Sequence, residues 1–457
     1  MTVVRAEYSH RNHREADNRQ GDISPGTLRE EITMGDQSAT TSGYRKATLR
    51  IIPFLFVCYF FAFLDRVNVG FAKLHMLSDL QLSEAVYGLG AGIFFIGYFI
   101  FEVPSNLILH RVGARLWIAR IMVTWGIISA AMAFITTPTM FYVLRFLLGV
   151  AEAGFFPGII LYLTYWYPAE RRGRIISMFM AAIPVSGLIG SPISGLILDL
   201  SHGTHGLAGW QWLFVIEALP SCILGVVLYF FLTDRPSQAR WLTAPEIERI
   251  EADLAAEATQ HDAHSVKAAL TDWRVWLLSF VYFGIQMGVY GIGFWLPTIV
   301  KSSGFKSDTM VGLVTAIPYL AATIFMVIMG RSADATGKRR LHVVLPALLG
   351  MIGLIGSGIF AGNVYIAVTC LTLATMGCIT ALALFWSLPS AFLGGFAAAG
   401  GIAMINSVGN LAGFLSPYMV GLIKDATQST NLALYVIAAA VCCAAILATR
   451  VPRIVDR

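Results

Sequence analysis

The chain has 457 residues, of which 56% are hydrophobic and only 13% charged, with a mean hydropathy of +0.69 and a net charge of +5. Ordinary soluble domains carry about 25% charged residues. The shortfall excludes a disordered chain, a nucleic-acid-binding domain and a soluble enzyme with a normal surface, and it calls for a lipid-facing exterior.

Residues 1–47 are polar, mix both charge signs and contain no apolar h-region, so they read as a disordered cytoplasmic tail rather than a cleaved signal peptide. Twelve apolar runs follow, each near the roughly 20 residues that a spanning helix needs. The first six are 50–72, 85–108, 116–136, 138–165, 175–200 and 212–232. A polar stretch comes next, in which Thr243-Ala244-Pro245-Glu246 has the form of a capping box with Pro at the first helical position. The Ile247, Ile250, Leu254 spacing after it predicts an amphipathic helix, lying on the membrane surface or simply solvated. The second six runs are 275–300, 309–330, 341–361, 364–388, 395–422 and 431–450. The expected organisation is a tail (1–47), a six-helix bundle (48–233), a cytoplasmic linker (234–273), a second six-helix bundle (274–450) and a short tail (451–457).

Lys and Arg set the orientation. With the N-terminus inside, 26 of the 32 basic residues fall in inside segments. The outside loops hold 4, namely Lys73, Lys301, Lys306 and Lys424. Both termini are therefore expected in the cytoplasm. Trp210, Trp212 and Trp295, near segment ends, read as interfacial belt residues. The six cysteines lie in apolar runs without metal-type spacing and read as small buried hydrophobes.

Charges inside a bilayer are costly, at about 2.5–3.5 kcal/mol each on insertion scales, and usually face a cavity or a partner. Asp65, Arg66, Arg145 and Glu152 all sit inside apolar runs. Arg145 and Glu152, seven residues apart, share a helix face about 10 Å apart along the axis. Asp65 and Arg66 are adjacent, so at most one of them faces a given point directly. Glu102 lies nearer a helix end, where it can snorkel, and Glu217 reads as a cap or brace. The second half keeps its charges at segment ends and holds polar or aromatic residues inside: Gln286, Tyr290, Trp386, Ser387, Asn406 and Asn410. A division of labour follows, in which the first half handles anion and proton and the second reads the rest of a substrate. The opposing reading is that these groups brace the bundle, although buried ion pairs are weak stabilisers.

The two halves repeat a loop. After the eighth run the sequence is Gly330-Arg331-Ser332-Ala333-Asp334-Ala335-Thr336-Gly337-Lys338-Arg339-Arg340. After the second it is Asn106-Leu107-Ile108-Leu109-His110-Arg111-Val112-Gly113-Ala114-Arg115. This arrangement resembles the major facilitator superfamily, whose loop signature is Gly-x-x-x-Asp-x-x-Gly-[Lys/Arg]-Arg. The first copy departs from it, with Asn106 for Gly and His110 for Asp. Three further stretches, 63–72, Val103-Pro104-Ser105-Asn106 and 145–158, resemble the anion:cation symporter family, nearest to bacterial tartrate-type transporters and then to 4-hydroxyphenylacetate permeases.

The resemblance implies an all-α membrane protein of two six-helix pseudo-repeats that imports a small organic acid anion with protons. No metal or bound cofactor is implied, only a proton gradient. The expected setting is a bacterial inner membrane, as a monomer. It implies Arg66 and Arg145 as anion ligands and Asp65 and Glu152 as proton carriers. Tyr98, Gln286, Tyr290, Trp386 and Asn406 are the expected substrate contacts. Gly113, Arg115, Gly330, Asp334, Gly337, Lys338 and Arg339 are the expected gating-loop residues. A 4-hydroxyphenylacetate or sugar-acid transporter, or a proton-independent facilitator or exchanger, stays open as an alternative. No Ser/His/Asp set, His cluster or phosphate loop favours a membrane enzyme, and no added signalling domain favours a sensor.

Overall fold

A computed structural model describes residues 25–259, 271–302, 304–389 and 395–452, and every regular element among them is helical. In the first half these are α1 (Pro25–Val67), α2 (Val69–Asp79), α3 (Glu84–Val112), α4 (Ala114–Ala131), α5 (Pro138–Glu152), α6 (Phe155–Thr164), α7 (Ala169–Met180), α8 (Ala182–Ser201) and α9 (Gly209–Phe231). Helix α10 (Ala244–Thr259) follows. The second half comprises α11 (Trp273–Ser302), α12 (Asp308–Thr336), α13 (Arg339–Ile359), α14 (Val364–Phe385), α15 (Gly395–Asn410), α16 (Ala412–Thr427) and α17 (Asn431–Thr449).

Local chemistry sets the starts. Ser83, Thr137 and Ser307 accept the N–H of Val86 (3.2 Å), Met140 (3.2 Å) and Met310 (3.4 Å), and Pro138 opens α5. Among the described residues, eleven helical stretches are long and apolar enough to cross a membrane. The remaining expected run, 395–422, is instead two 16-residue helices meeting at Leu411. Breaks at Asn68, at Gly154 (φ +88°) and at Ala181 likewise divide the first, fourth and fifth crossings. The outer faces are apolar and bare, with Phe230 79% and Leu200 71% exposed, as a lipid-facing surface requires.

Three expectations need correction. The first helix starts at Pro25, so residues 25–47 are not outside regular structure. Residues 1–24 lie outside the described residues. Tyr44 and Ala47 are buried because α10 and the α6–α7 turn give them a surface. Tyr44 donates to Asp253 (3.0 Å) and stacks on Tyr167, while Lys46 pairs with Glu246 (2.9 Å). Trp210 and Trp295 are not belt residues but buried ones: the Trp210 indole binds Asp79 (2.8 Å), and Trp295 carries Lys73 on its face (3.4 Å). Lys73, counted above as a loop residue, is itself buried inside α2.

The two halves meet along two seams, α3 against α16 and α8 against α12. We call the end where α1 begins and α17 finishes the near end, and the opposite one the far end. At the far end glycine backbones lie so close that a Cβ on Gly88 would overlap Pro417 and one on Gly312 would overlap Ser191. Charge reinforces the seams. Asp425 accepts the N–H groups of Glu84 (3.1 Å) and Ala85 (2.8 Å) at the start of α3. Asp199 accepts from Ser307 Oγ (2.7 Å), Asp308 N (3.2 Å), Thr309 N (2.8 Å) and Thr309 Oγ1 (2.7 Å) at the start of α12. Each half thus ends a helix in an aspartate that caps a helix of the other.

Candidate substrate site

Arg66, near the end of α1, is buried, and Asp65 beside it is too. Their side chains diverge. Arg66 turns to the boundary between the halves, where it pairs with Glu152 and donates to Tyr290 Oη (3.3 Å). Its guanidinium also lies 5.5 Å from the ring centres of Phe94 and Tyr98. Tyr290 in turn donates to Asn410 Oδ1 (3.2 Å). Among the described residues, the Arg66 Nε has no hydrogen-bond partner.

A narrow cavity of about 20 Å³ lies here, with Arg66, Tyr59 and Tyr98 on one side and Tyr282, Gln286, Tyr290, Asn406 and Asn410 on the other. Phe156, Met180, Val289 and Leu382 close its walls. A single guanidinium on an aromatic and amide-lined chamber can bind an anionic group of a small polar molecule.

Of the sequence-predicted contacts, Arg66, Tyr98, Gln286, Tyr290 and Asn406 line this cavity, and Glu152 touches it through Arg66. Three residues do not. Asp65 points into the interior of the first half, where Ser221 Oγ (2.6 Å), Trp125 Nε1 (2.9 Å) and Ser129 Oγ (3.2 Å) donate to it. Arg145 turns to α3 and donates to the carbonyls of Gly90 (3.2 Å) and Ala91 (3.1 Å), over the Phe94 ring. Its distance from the cavity follows from its place seven residues before Glu152, two turns along α5. Trp386 lies one layer nearer the near end, between Tyr282 (5.0 Å) and Phe156 (6.4 Å), as part of an aromatic cover.

Nothing in the sequence marks Tyr59 or Tyr282 as contacts, and Asn410 stands out there only as a polar residue inside an apolar run. Glu102 departs from expectation. It is buried rather than snorkelling, and it crosses the halves to accept from Asn406 Nδ2 (2.6 Å) and Ser407 Oγ (2.9 Å). Glu217 accepts from Ser194 (2.6 Å) in the first half.

The repeated loops occupy matching turns. Gly113 (φ +93°) and Gly337 (φ +67°) take conformations that suit glycine. After Gly113, Asp234 accepts the Arg115 N–H (2.8 Å), so an acid from beyond α9 caps α4. Arg339 donates to the Ser387 carbonyl (3.4 Å), tying α13 to the end of α14. Gly330 and Asp334 lie on the last turns of α12, and Lys338 precedes α13.

A model of the Major Facilitator Superfamily matches residues 55–417. The chain belongs to this superfamily. Relatives agree with that membership. A protein of Agrobacterium vitis provisionally named a tartrate transporter is 53% identical over 408 residues, covering 88% of this chain and 90% of its own. The Pseudomonas putida protein provisionally named metabolite transport protein NicT is 48% identical over 421 residues, covering 92% and 96%. The solved xylose transporter XylE of E. coli shares the superfamily fold at a TM-score of 0.69, with 18% identity over 89% of this chain and 98% of that one. The protein is thus a membrane transporter of two six-helix pseudo-repeats.

Proposed function

We propose that this transporter carries a small organic acid anion, tartrate-like or another hydroxy acid, into the cell together with protons by alternating access. The observation that carries the reading is Arg66, which is shared between a buried acid, Glu152, and the polar cavity at the boundary of the halves. The tartrate name of the Agrobacterium relative supports the substrate class.

With the cavity empty, Glu152 is ionised and holds Arg66 by charge. Burial favours protonation of an acid, and a neighbouring Arg opposes it. An incoming carboxylate competes with Glu152 for the guanidinium. Once Arg66 turns to the substrate, Glu152 stands buried without its counter-charge, and taking up a proton restores neutrality. Anion and proton therefore enter the site together, with no metal or nucleotide involved. Arg145 and Asp65 act behind this pair: Arg145 fixes α5 against α3, and Asp65 fixes the end of α1. The basic-residue bias supports cytoplasmic termini, and the expected setting is a monomer in the inner membrane. Rocking of the halves about the cavity completes the cycle.

Uptake of labelled tartrate into proteoliposomes, with and without an inward proton gradient, tests this reading. Accumulation that collapses with the gradient is expected. Uptake indifferent to the gradient overturns proton coupling, and no uptake of tartrate, malate, 4-hydroxyphenylacetate or sugar acids overturns the substrate class.

A further inference from the structure

The acceptor atoms of the second half carry an inference about what the cavity reads besides charge; it rests on the organic-acid reading above and sharpens it. Gln286 is buried in the cavity wall. Its Nε2 donates to Tyr282 Oη (3.1 Å) and lies 3.5 Å from Asn410 Oδ1. Its Oε1 is buried and has no hydrogen-bond partner among the described residues. A buried carbonyl left unsatisfied costs free energy that a ligand donor would recover.

Asn406 reaches the same cavity from α15. Its amide is oriented by a residue of the other half. Its nitrogen Nδ2 faces Glu102 Oε1 at 2.6 Å and donates to it. The polar atom left to Asn406 is then Oδ1, a pure acceptor. Ser407 Oγ, also bound to Glu102 (2.9 Å), holds that carboxylate in place.

Gln286 Oε1 and Asn406 Oδ1 thus present two acceptors from the second half, while the cationic donor stands opposite on Arg66. A bare carboxylate satisfies Arg66 and leaves Gln286 Oε1 unpaired. A hydroxyl group beside the carboxylate supplies the missing hydrogen. We propose that the cavity selects acids bearing a hydroxyl near the carboxylate, that Gln286 Oε1 and Asn406 Oδ1 receive the hydroxyl hydrogens, and that Glu102 is the positioning residue that fixes the Asn406 amide. Sites built to bond a substrate hydroxyl reject analogues that lack it far more strongly than apolar pockets reject a missing methylene, because their own polar groups are then stranded.

The experiment compares tartrate, malate and succinate, which carry two, one and no hydroxyls on the same four-carbon frame. Two readouts are taken on the purified full-length protein: the ligand-induced shift in Tm, and competition against labelled tartrate in exchange across proteoliposomes. The expected order of affinity is tartrate, malate, succinate, with tartrate ahead of succinate by about a hundredfold or more. Gln286→Leu removes one acceptor, and Glu102→Gln frees the Asn406 amide to turn. Each should bring the tartrate-to-succinate ratio below about tenfold, mainly by weakening tartrate, while succinate changes by less than about threefold. A merely structural role would weaken all three acids together. Equal affinities in the unaltered protein, or variants that leave the ratio intact, overturn this inference and leave the organic-acid reading standing. If none of the three acids, nor any acid in the uptake panel above, shifts Tm or is exchanged, both readings fall.

Discussion

Asp425→Asn should loosen the far-end seam without touching the cavity. In the structure the Asp425 carboxylate receives two backbone N–H groups of α3, at 3.1 and 2.8 Å, and faces the positive end of that helix. Asparagine keeps one acceptor oxygen and replaces the other with an amide that cannot accept. The loss of one charge-assisted hydrogen bond, discounted for its partial exposure, is about 1–1.5 kcal/mol. The loss of charge at a helix N-terminus adds about 0.5 kcal/mol. Together they make about 2 kcal/mol, or roughly a 30-fold shift of the equilibrium toward forms open at the far end, at about 1.4 kcal/mol per tenfold. Spin labels on cysteines placed at Thr204 and Ala361, exposed far-end positions on opposite halves, would read this as a longer-distance population in a background without native cysteines. Asp199→Asn should act in the same direction by a smaller amount, since its partners are exposed, and the double variant should show the sum of the two shifts. Distance distributions identical to those of the unaltered protein in both single variants would refute the idea that these caps hold the seam.

Gly88→Ala should favour the same opening by about 1–3 kcal/mol, because the added methyl has no room beside Pro417 only while the seam is shut; the same labels would show it. Glu152→Gln should abolish gradient-driven accumulation while retaining substrate exchange, and accumulation at the unaltered level would remove Glu152 from coupling. Arg145→Lys should lower Tm and uptake rate while leaving KM within about threefold, because a point-charge amine cannot span the Gly90 and Ala91 carbonyls; a KM raised tenfold or more would return Arg145 to the cavity. Burial works to raise the Glu246 carboxyl, but bonds from the Thr243 N–H, Lys46 and Ser42 outweigh it and bring it down to about 2. Its bond to Lys46 therefore stabilises docking of α10 above the ordinary carboxylate range and is lost as pH falls toward about 2; fluorescence quenching between labels on α1 and α10 should be constant from pH 7 to 5.

The membrane crossings and the polar residues inside them were legible because lipid imposes a long, simple hydropathy pattern. The directions of those residues were not. Two neighbours on a helix diverge by about 100°, so the sequence could say that Asp65 and Arg66 do not share a target but not which one meets the cavity. Arg145 and Glu152 share a face, yet a long flexible arginine chose carbonyls on α3 over the chamber below. Glu102 was misjudged for a different reason. Its partners, Asn406 and Ser407, lie some three hundred positions away, and no local pattern announces a contact between halves. The same blindness hid the aspartate caps and the burial of Lys73 and Trp295.

Helix α10 packs against α1. Tyr44, Lys46 and Arg172 fasten it to the first bundle, so it travels with that bundle as ballast rather than stretching between the two. A cut just after α10 therefore leaves that helix docked on its own bundle, and the two pieces should reassemble across the α3–α16 and α8–α12 seams and still transport.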